Sequence, residues 1–400
     1  MSIDPLSDFI WQHRLYDPQR LALRKMPEGW PAAHIAHQVD ALQRLRHKVP
    51  SWYRPGLRFP PGVSAEQASS ERTARYKAGL LRPQGEGGGQ LADLTGGLGV
   101  DAFFFAQHFG AVWHVEQRAD ISDAARHNFE VLGAGHICCL NARAEAFLEK
   151  TAERFDLVYL DPARRDGVGG RVFRLEDCQP NVLAIKDLIW GVSPRMLLKT
   201  APLLDLSRAA EQLGQVARIW VVAAEGDCRE VLYLLERDAP PTAVADIPIC
   251  AVHLLRDAEE PEFCFSLGLE REAEAPCSPA LSYLYEPHAA ILKAGAFRSF
   301  AARYGLLKLH PNTHLYTSSS WVDGVPGRAF SIEAVCRYDR KAVAAAVPGG
   351  RAHVAVRNFP DSAEQVRKRL GLADGGDVYL FAATDTEGKK VVVARKVEAA

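Results

Sequence analysis

The stretch "LADLTGGLGVDAFFFA", residues 91–106, constrains the fold most. An apolar run ends at Asp93, a loop carries three glycines in four residues, and an amphipathic segment follows. A strand that stops in a glycine turn and feeds a helix cradles a nucleotide-like ligand. Backbone amides can approach without a Cβ in the way, and the helix N-terminus points at the same spot. Two ligand classes fit. Asp93, Thr95, Gly97 and Gly99 occupy the alternate positions of a D-x-(G)-x-G-x-G loop, while the run from Gly97 to Ala102 also fits the dinucleotide fingerprint G-x-G-x-x-A.

The surrounding pattern sets the architecture. Seven apolar runs, "LADL", "AVWHVE", "HICCLN", "FDLVYLD", "PRMLLKT", "ARIWVVAA" and "EVLYLLER", follow one another, the first six separated by helical stretches. They are continuously apolar, as strands covered on both faces should be, and their alternation with helices predicts a doubly wound parallel α/β sheet. Only "EGDCR" separates the last two, too short for a crossover helix, so the last strand is expected to run antiparallel.

Around this core the chain divides into a helical region over 1–88, an α/β domain over 89–240, and a linker with an α+β module over 241–400. In the first region Ile35, Val39, Leu42, Leu45 and Val49 mark an amphipathic helix, and "VPSWYRPGLRFPPG" ends it. A second helix is expected to start at Ser64, with Gln67 completing a capping box. In the last, "EPHAAILKAGAFRSFAARYGL" reads as one helix ending at Gly305, followed by strands, two short helices and a terminal hairpin.

Formal charge is uneven along the chain: net +5 over 1–90, −12 over 91–279 and +6 over 280–400. Basic flanks around an acidic centre would suit a polyanion lying across the site. No apolar run approaches the roughly 18–20 residues of a membrane span, and "MSIDPLSDFIWQHR" is not a secretory signal. The eight cysteines include no CxxC pair and read as reduced thiols rather than a disulfide or metal framework, which points to the cytoplasm. The histidines are dispersed, His114 reads as a core residue, and no metal site is expected.

Two strand ends narrow the ligand. Glu116 closes the second strand, where an acidic side chain bonds ribose hydroxyls in either ligand class. Asp161-Pro162 closes the fourth, facing the ligand crevice, an element dinucleotide dehydrogenases do not need. With these motifs residues 91–237 resemble a class I S-adenosylmethionine-dependent methyltransferase, whose sheet has seven strands, the last antiparallel. "DLTGGLGVDAF" and "YLDPA" are similar to an RNA guanine-N2 methyltransferase of the small ribosomal subunit. "SAEQASSERTARYKA", "YEPHAAILKAGAF" and "LHPNTHLYTSS" extend the resemblance to bacterial methyltransferases with a C-terminal THUMP-like domain.

That resemblance implies S-adenosylmethionine as cofactor and RNA, transfer or ribosomal, as partner. Asp93, Thr95, Gly97 and Gly99 would hold the methionine moiety, with Val100 and Asp101 bordering it and Asp101 available to the cofactor's amino group. Glu116 would take the ribose, Gln117 would lie beside the adenine, and Asn141 stands where the family has Asp contacting the adenine amine. Asp161 and the Pro162 carbonyl would orient an acceptor amine, and Arg164 replaces the usual stacking aromatic. "DPAR" is also similar to uridine-C5 methyltransferases, but the fifth strand ends "MLLKTAP", with Thr200 instead of their nucleophilic cysteine.

Arg164, Arg165, Arg171 and Arg174 surround a Gly-rich loop that either clamps RNA phosphates or is simply solvated, and Phe173 either stacks or packs. Cys178 reads as structural, and Arg72, Arg75 and Lys77 are expected to face substrate. The competing functional class is a non-catalytic RNA-binding or assembly factor that keeps the fold without the donor site. A nicotinamide dehydrogenase is the third reading.

Overall fold

The computed structural model describes residues 4–62, 68–83, 88–164, 174–256 and 262–397, leaving aside the side chain of Arg164. The chain forms two compact units, residues 1–217 with 232–241 and residues 218–231 with 242–400.

The first unit opens with helices α1 (Pro5–Gln12), α2 (Pro18–Ala22), α3 (Ala32–Lys48) and α4 (Glu71–Leu80). On α3 the periodic residues Ile35, Val39, Leu42 and Leu45 are all buried, as their spacing requires. The Pro-rich stretch is held by Gln38, whose side chain donates to the Phe59 carbonyl at 2.7 Å and accepts from its amide at 3.0 Å. Trp52 is fully buried edge-on to the rings of Phe103 and Phe129. Helix α4 is capped by Ser70, whose Oγ accepts from the Thr73 amide, and not by the Ser64 expected from sequence; Ser64 and Gln67 lie outside the described residues.

Strands then alternate with helices: β1 (Gln90–Asp93), α5 (Val100–Phe105), β2 (Ala111–Glu116), α6 (Ala119–Leu132), β3 (Cys138–Asn141), α7 (Ala144–Lys150), β4 (Leu157–Leu160), α8 (Val182–Val192), β5 (Arg195–Thr200) and α9 (Leu206–Leu213). Strands β6 (Val216–Ala224) and β7 (Asp227–Glu236) follow, and β7 ends in this unit. The order here is β7-β5-β4-β1-β2-β3, and β1 pairs in parallel with β2 and β4, as do β2 with β3 and β4 with β5. All four residues of β4 are buried, the signature of a strand covered on both faces. The carboxyl ends of β1, β2, β4 and β5 therefore lie along one edge, and this is where the ligand crevice of a doubly wound sheet forms.

In the second unit Glu225 and Gly226, both at positive φ, make the two-residue turn joining β6 to β7, which forces the antiparallel hairpin anticipated above. The expected seven strands are exceeded. β8 (Ile249–Leu254) adds in parallel to β6 and β9 (Phe263–Phe265) adds antiparallel to β8, so the described order is β9-β8-β6-β7. Their register sets Cys250 opposite Cys264, and the two are joined in a disulfide, correcting the expectation that all eight cysteines are free thiols. Sequence spacing hid the pair because the strand pattern over 240–279 is weak.

The rest of the second unit carries helices α10 (Leu267–Glu272), α11 (Ala289–Ala294), α12 (Arg298–Tyr304), α13 (Arg340–Ala346) and α14 (Ala363–Leu370). Its strands are β10 (Tyr283–Pro287), β11 (Leu307–His310), β12 (Thr313–Ser318), β13 (Gly327–Arg337), β14 (His353–Arg357), β15 (Val378–Asp385) and β16 (Gly388–Val397), ordered β11-β12-β10-β13-β16-β15-β14. Val343 of α13 and Val366 and Leu370 of α14 pack on Leu380, Ala382, Val391 and Val393 of this sheet. The single helix expected over 286–305 is two, because Gly295 takes a left-handed conformation (φ +79°) that caps α11. Among the described residues no helix is long and apolar enough to cross a membrane.

Candidate active site

The carboxyl edge of the first unit's sheet opens onto a cavity of about 620 Å³, within the roughly 300–1,000 Å³ range of small-molecule sites. Asp93, Thr95, Gly97, Gly99, Val100, Asp101, Glu116, Gln117 and Asp161 all line it. Chain separation between these positions reaches 68 residues, and the parallel order of β4, β1 and β2 is what brings them together.

The glycine loop is shaped from beneath. A Cβ on Gly96 would lie 2.3 Å from the His114 ring, and one on Gly99, at φ +87°, would lie 2.3 Å from the Phe129 ring. Side chains are excluded at both places by buried rings and not only by the ligand, so Gly96 belongs with the glycines singled out from sequence. His114 is buried, and burial holds its imidazole below its ordinary range. The neutral ring's Nε2 lies 3.0 Å from the Gly97 carbonyl, which can only accept, so Nε2 carries the proton. A histidine expected merely to fill the core thus also fixes the loop.

Each carboxylate has a distinct setting. Asp93 Oδ1 accepts from the Thr95 amide at 3.0 Å, and Thr95 Oγ1 accepts from the Asp161 amide at 2.6 Å, tying β1 to the end of β4. Glu116 accepts from the amides of Gly97 (2.9 Å) and Arg118 (2.8 Å), leaving lone pairs on both oxygens for a diol. Asp101 is bound within the protein: Ser69 Oγ and Tyr159 Oη each donate to Oδ2 at 2.8 Å, and Lys77 Nζ forms an ion pair with Oδ1 at 3.1 Å. Burial alone would raise the Asp101 carboxyl, but Lys77 and Lys199 with the Ser69 and Tyr159 hydroxyls outweigh it and hold it below its ordinary range.

Several expectations are corrected. Lys77 does not face substrate: it is 0% exposed and spent on Asp101 and Ser69. Arg75, two residues before it and so nearly opposite on the helix, is half exposed and bound to Glu71 at 2.7 Å. Asn141 does not line the cavity, because its amide nitrogen donates to the carbonyls of Glu116 and Gln117 and turns the side chain onto the end of β2. Ala142, Ala144 and Glu145 form that wall instead.

At the fourth strand Asp161 and Ala163 line the cavity and Pro162 is buried beside them. The backbone of Arg164 pairs with Cys178, while its side chain and residues 165–173, with Arg165, Arg171 and Phe173, lie outside the described residues. Arg174 is exposed, and Cys178 is buried.

Sequence reasoning missed Ser69 and Lys199, and it gave Lys77 the wrong role. Lys199 Nζ donates to Asp161 Oδ2 at 2.6 Å and to Ser69 Oγ at 3.4 Å, and Ser69 in turn meets Lys77 and Asp101. The available signal was a lysine inside the apolar strand "RMLLKT" and another on the buried face of "ERTARYKAGL".

The donor set suits a ligand with cationic and hydroxylic groups. Asp93, Asp101, Glu116, Glu145 and Asp161 line one cavity, and the buried Asp93 has only Thr95 as a short-range partner among the described residues. Burial, with Asp101, Asp161 and Glu116 nearby, holds the Asp93 carboxyl well above its ordinary range, so a ligand cation placed there favours ionisation. Binding such a ligand is expected to release a proton and to tighten as pH rises from the ordinary carboxylate range until free Asp93 ionises. Calorimetry in buffers of different ionisation enthalpy measures the proton count, and the Asp93→Asn variant should show none.

Comparison with known proteins agrees with this geometry. A ferredoxin-like domain model matches residues 283–326 and a THUMP domain-like model matches residues 327–396. The crystal structure of a candidate methyltransferase from Porphyromonas gingivalis W83 is 32% identical and superposes with a TM-score of 0.88 over 100% of both chains. An uncharacterized S-adenosylmethionine-dependent methyltransferase of Mycobacterium tuberculosis (strain CDC 1551 / Oshkosh) is 27% identical over 319 residues, 77% of this chain and 79% of the relative. The end-to-end match to the Porphyromonas gingivalis methyltransferase, together with the S-adenosylmethionine-dependent relative and the carboxylate-lined cavity at the carboxyl edge of a doubly wound sheet, places this protein in the family of S-adenosylmethionine-dependent methyltransferases, with S-adenosylmethionine as its cofactor.

Proposed function

We propose that this methyltransferase acts on RNA, transferring the methyl group to a base nitrogen that carries a hydrogen. The observation that carries the reading is Asp161: a carboxylate at the end of β4, lining the same cavity as Asp93 and Glu116 and fixed through its amide by Thr95. The THUMP domain-like match over residues 327–396 and the net +6 over residues 280–400 support RNA as the substrate class.

Bound S-adenosylmethionine supplies a methyl group already activated on a sulfonium. Asp93 would face its ammonium, Glu116 its ribose hydroxyls, Gln117 and Glu145 the adenine, and the amides of the Gly96–Gly99 loop its carboxylate. Asp161 would accept a hydrogen bond from the target N–H and aim the nitrogen lone pair into the cavity. When bound, the cofactor would supply the methyl carbon and take back the carbon–sulfur electron pair, and the target nitrogen's surplus proton would pass to water. Little acid–base assistance is required, so alignment is the residues' main contribution. A fold that had lost its donor site would have little reason to keep Asp93 buried and aimed into the cavity at the cost of its ionisation.

The purified protein, incubated with tritiated S-adenosylmethionine and total RNA from cells lacking it, should give acid-precipitable label that ribonuclease releases and protease does not. Label released only by protease would defeat RNA as the substrate.

A further inference from the structure

We propose that Lys199 is a positioning residue for methyl transfer, which acts by fixing the carboxylate of Asp161. The inference rests on the reading of Asp161 as the group that orients the target nitrogen.

Strands β4 and β5 pair in parallel with Leu160 opposite Leu198, so Asp161 and Lys199, each one residue further on, emerge side by side at the sheet edge. The Lys199 side chain is 14% exposed and its ammonium donates to Asp161 Oδ2 at 2.6 Å. Asp161 is 35% exposed and lines the cavity, whereas Lys199 is not among the lining residues. The lysine therefore stands behind the carboxylate and reaches the target through it.

With its amide on Thr95 Oγ1 and Oδ2 on Lys199, Asp161 is held at both ends, and Oδ1 is left to accept from the target. Charge makes the arrangement necessary. Asp93, Asp101, Glu116 and Glu145 line the same cavity, and a further carboxylate with no cation beside it would be driven by their charge to turn away. Lys199 compensates Asp161 as Lys77 compensates Asp101, and Ser69 hydrogen-bonds to both ammonium groups, at 2.8 Å and 3.4 Å, which fixes their spacing. An oxygen so held can only accept, which is why the nitrogen it orients must carry a hydrogen.

The test compares wild type, Lys199→Met, Lys199→Arg, Asp161→Asn and the double variant Lys199→Met/Asp161→Asn. Single-turnover methyl transfer is measured with tritiated S-adenosylmethionine on saturating total RNA from cells lacking the protein, and cofactor affinity is measured by calorimetry. Lys199→Met should slow transfer on the order of 10²-fold, the cost of a misplaced group. Cofactor affinity should stay within about threefold, Lys199→Arg should recover to within about tenfold of wild type, and the lysine change should cost less than about threefold in the Asp161→Asn background. Should Lys199→Met not fold, Lys199→Gln, which keeps a donor without the charge, carries the same comparison. An equal loss in both backgrounds, or a parallel loss of cofactor affinity, overturns the proposal while leaving the Asp161 reading intact. Wild-type rates in Asp161→Asn overturn that reading itself, and the proposal with it.

Discussion

Replacing Asp161 with alanine is expected to slow methyl transfer on the order of 10²- to 10³-fold while S-adenosylmethionine affinity stays within about tenfold of wild type. The side chain lines the cavity from the end of β4, away from the β1 and β2 ends that would hold the cofactor, and in the proposed reading it would bear on the nitrogen rather than on the donor. Removing it also leaves Lys199 facing the cavity without the carboxylate it is bound to, so some cofactor affinity should be lost through repulsion between that ammonium and the cofactor's cations. Single-turnover transfer and calorimetry on the same preparation separate the two effects. A variant that transfers normally would remove Asp161 from the chemistry. One that no longer binds the cofactor would move it to the donor site.

The opposite signature is expected at Glu116. Its carboxylate accepts from the amides of Gly97 and Arg118 and in the proposed reading would offer its remaining lone pairs to the ribose hydroxyls, so Glu116→Ala would remove ligand contacts and unpin the glycine loop together. Hydrogen bonds to a charged group contribute about 1.5–3 kcal/mol each, so cofactor affinity should weaken at least about 10²-fold. At saturating cofactor the transfer rate should recover most of its wild-type value, because the acceptor end is untouched. Calorimetric titration of the variant checks the first statement and transfer at raised cofactor concentration the second. Unchanged affinity would mean that the ribose lies elsewhere.

How much of this was legible in the chain follows from the range of the interactions involved. The glycine loop, Glu116 and Asp161 could be read because each is a strand end marked by its immediate neighbours. Strands such as β1, β4 and β5 could be read because burial on both faces leaves continuous apolar runs. What sequence hid is long-range pairing. Lys199 meets Ser69 across 130 residues and Lys77 meets Asp101 from a different helix, and no local pattern announces either contact. A lysine in an apolar strand or on a buried helix face was the only trace. The Cys250–Cys264 disulfide escaped because β8 and β9 lie in a stretch with little apolar periodicity. The helix read over 286–305 was taken as one because its pattern does not announce the left-handed turn at Gly295 that divides it into α11 and α12, and the short strands β10 and β11 on either side of it were not read. Asn141 was given a ligand contact by position alone, and its hydrogen bonds to the β2 carbonyls leave that wall to Glu145.

The most direct test of the central claim is the chemical identity of the product. Total RNA from cells lacking the protein is labelled with tritiated S-adenosylmethionine, digested to nucleosides and separated, with the Asp161→Ala variant run in parallel. Label in a single nitrogen-methylated nucleoside, absent with the variant, is the result this account predicts. Label in a carbon-methylated or ribose-methylated nucleoside, or a nitrogen-methylated one that persists with Asp161→Ala, would contradict it.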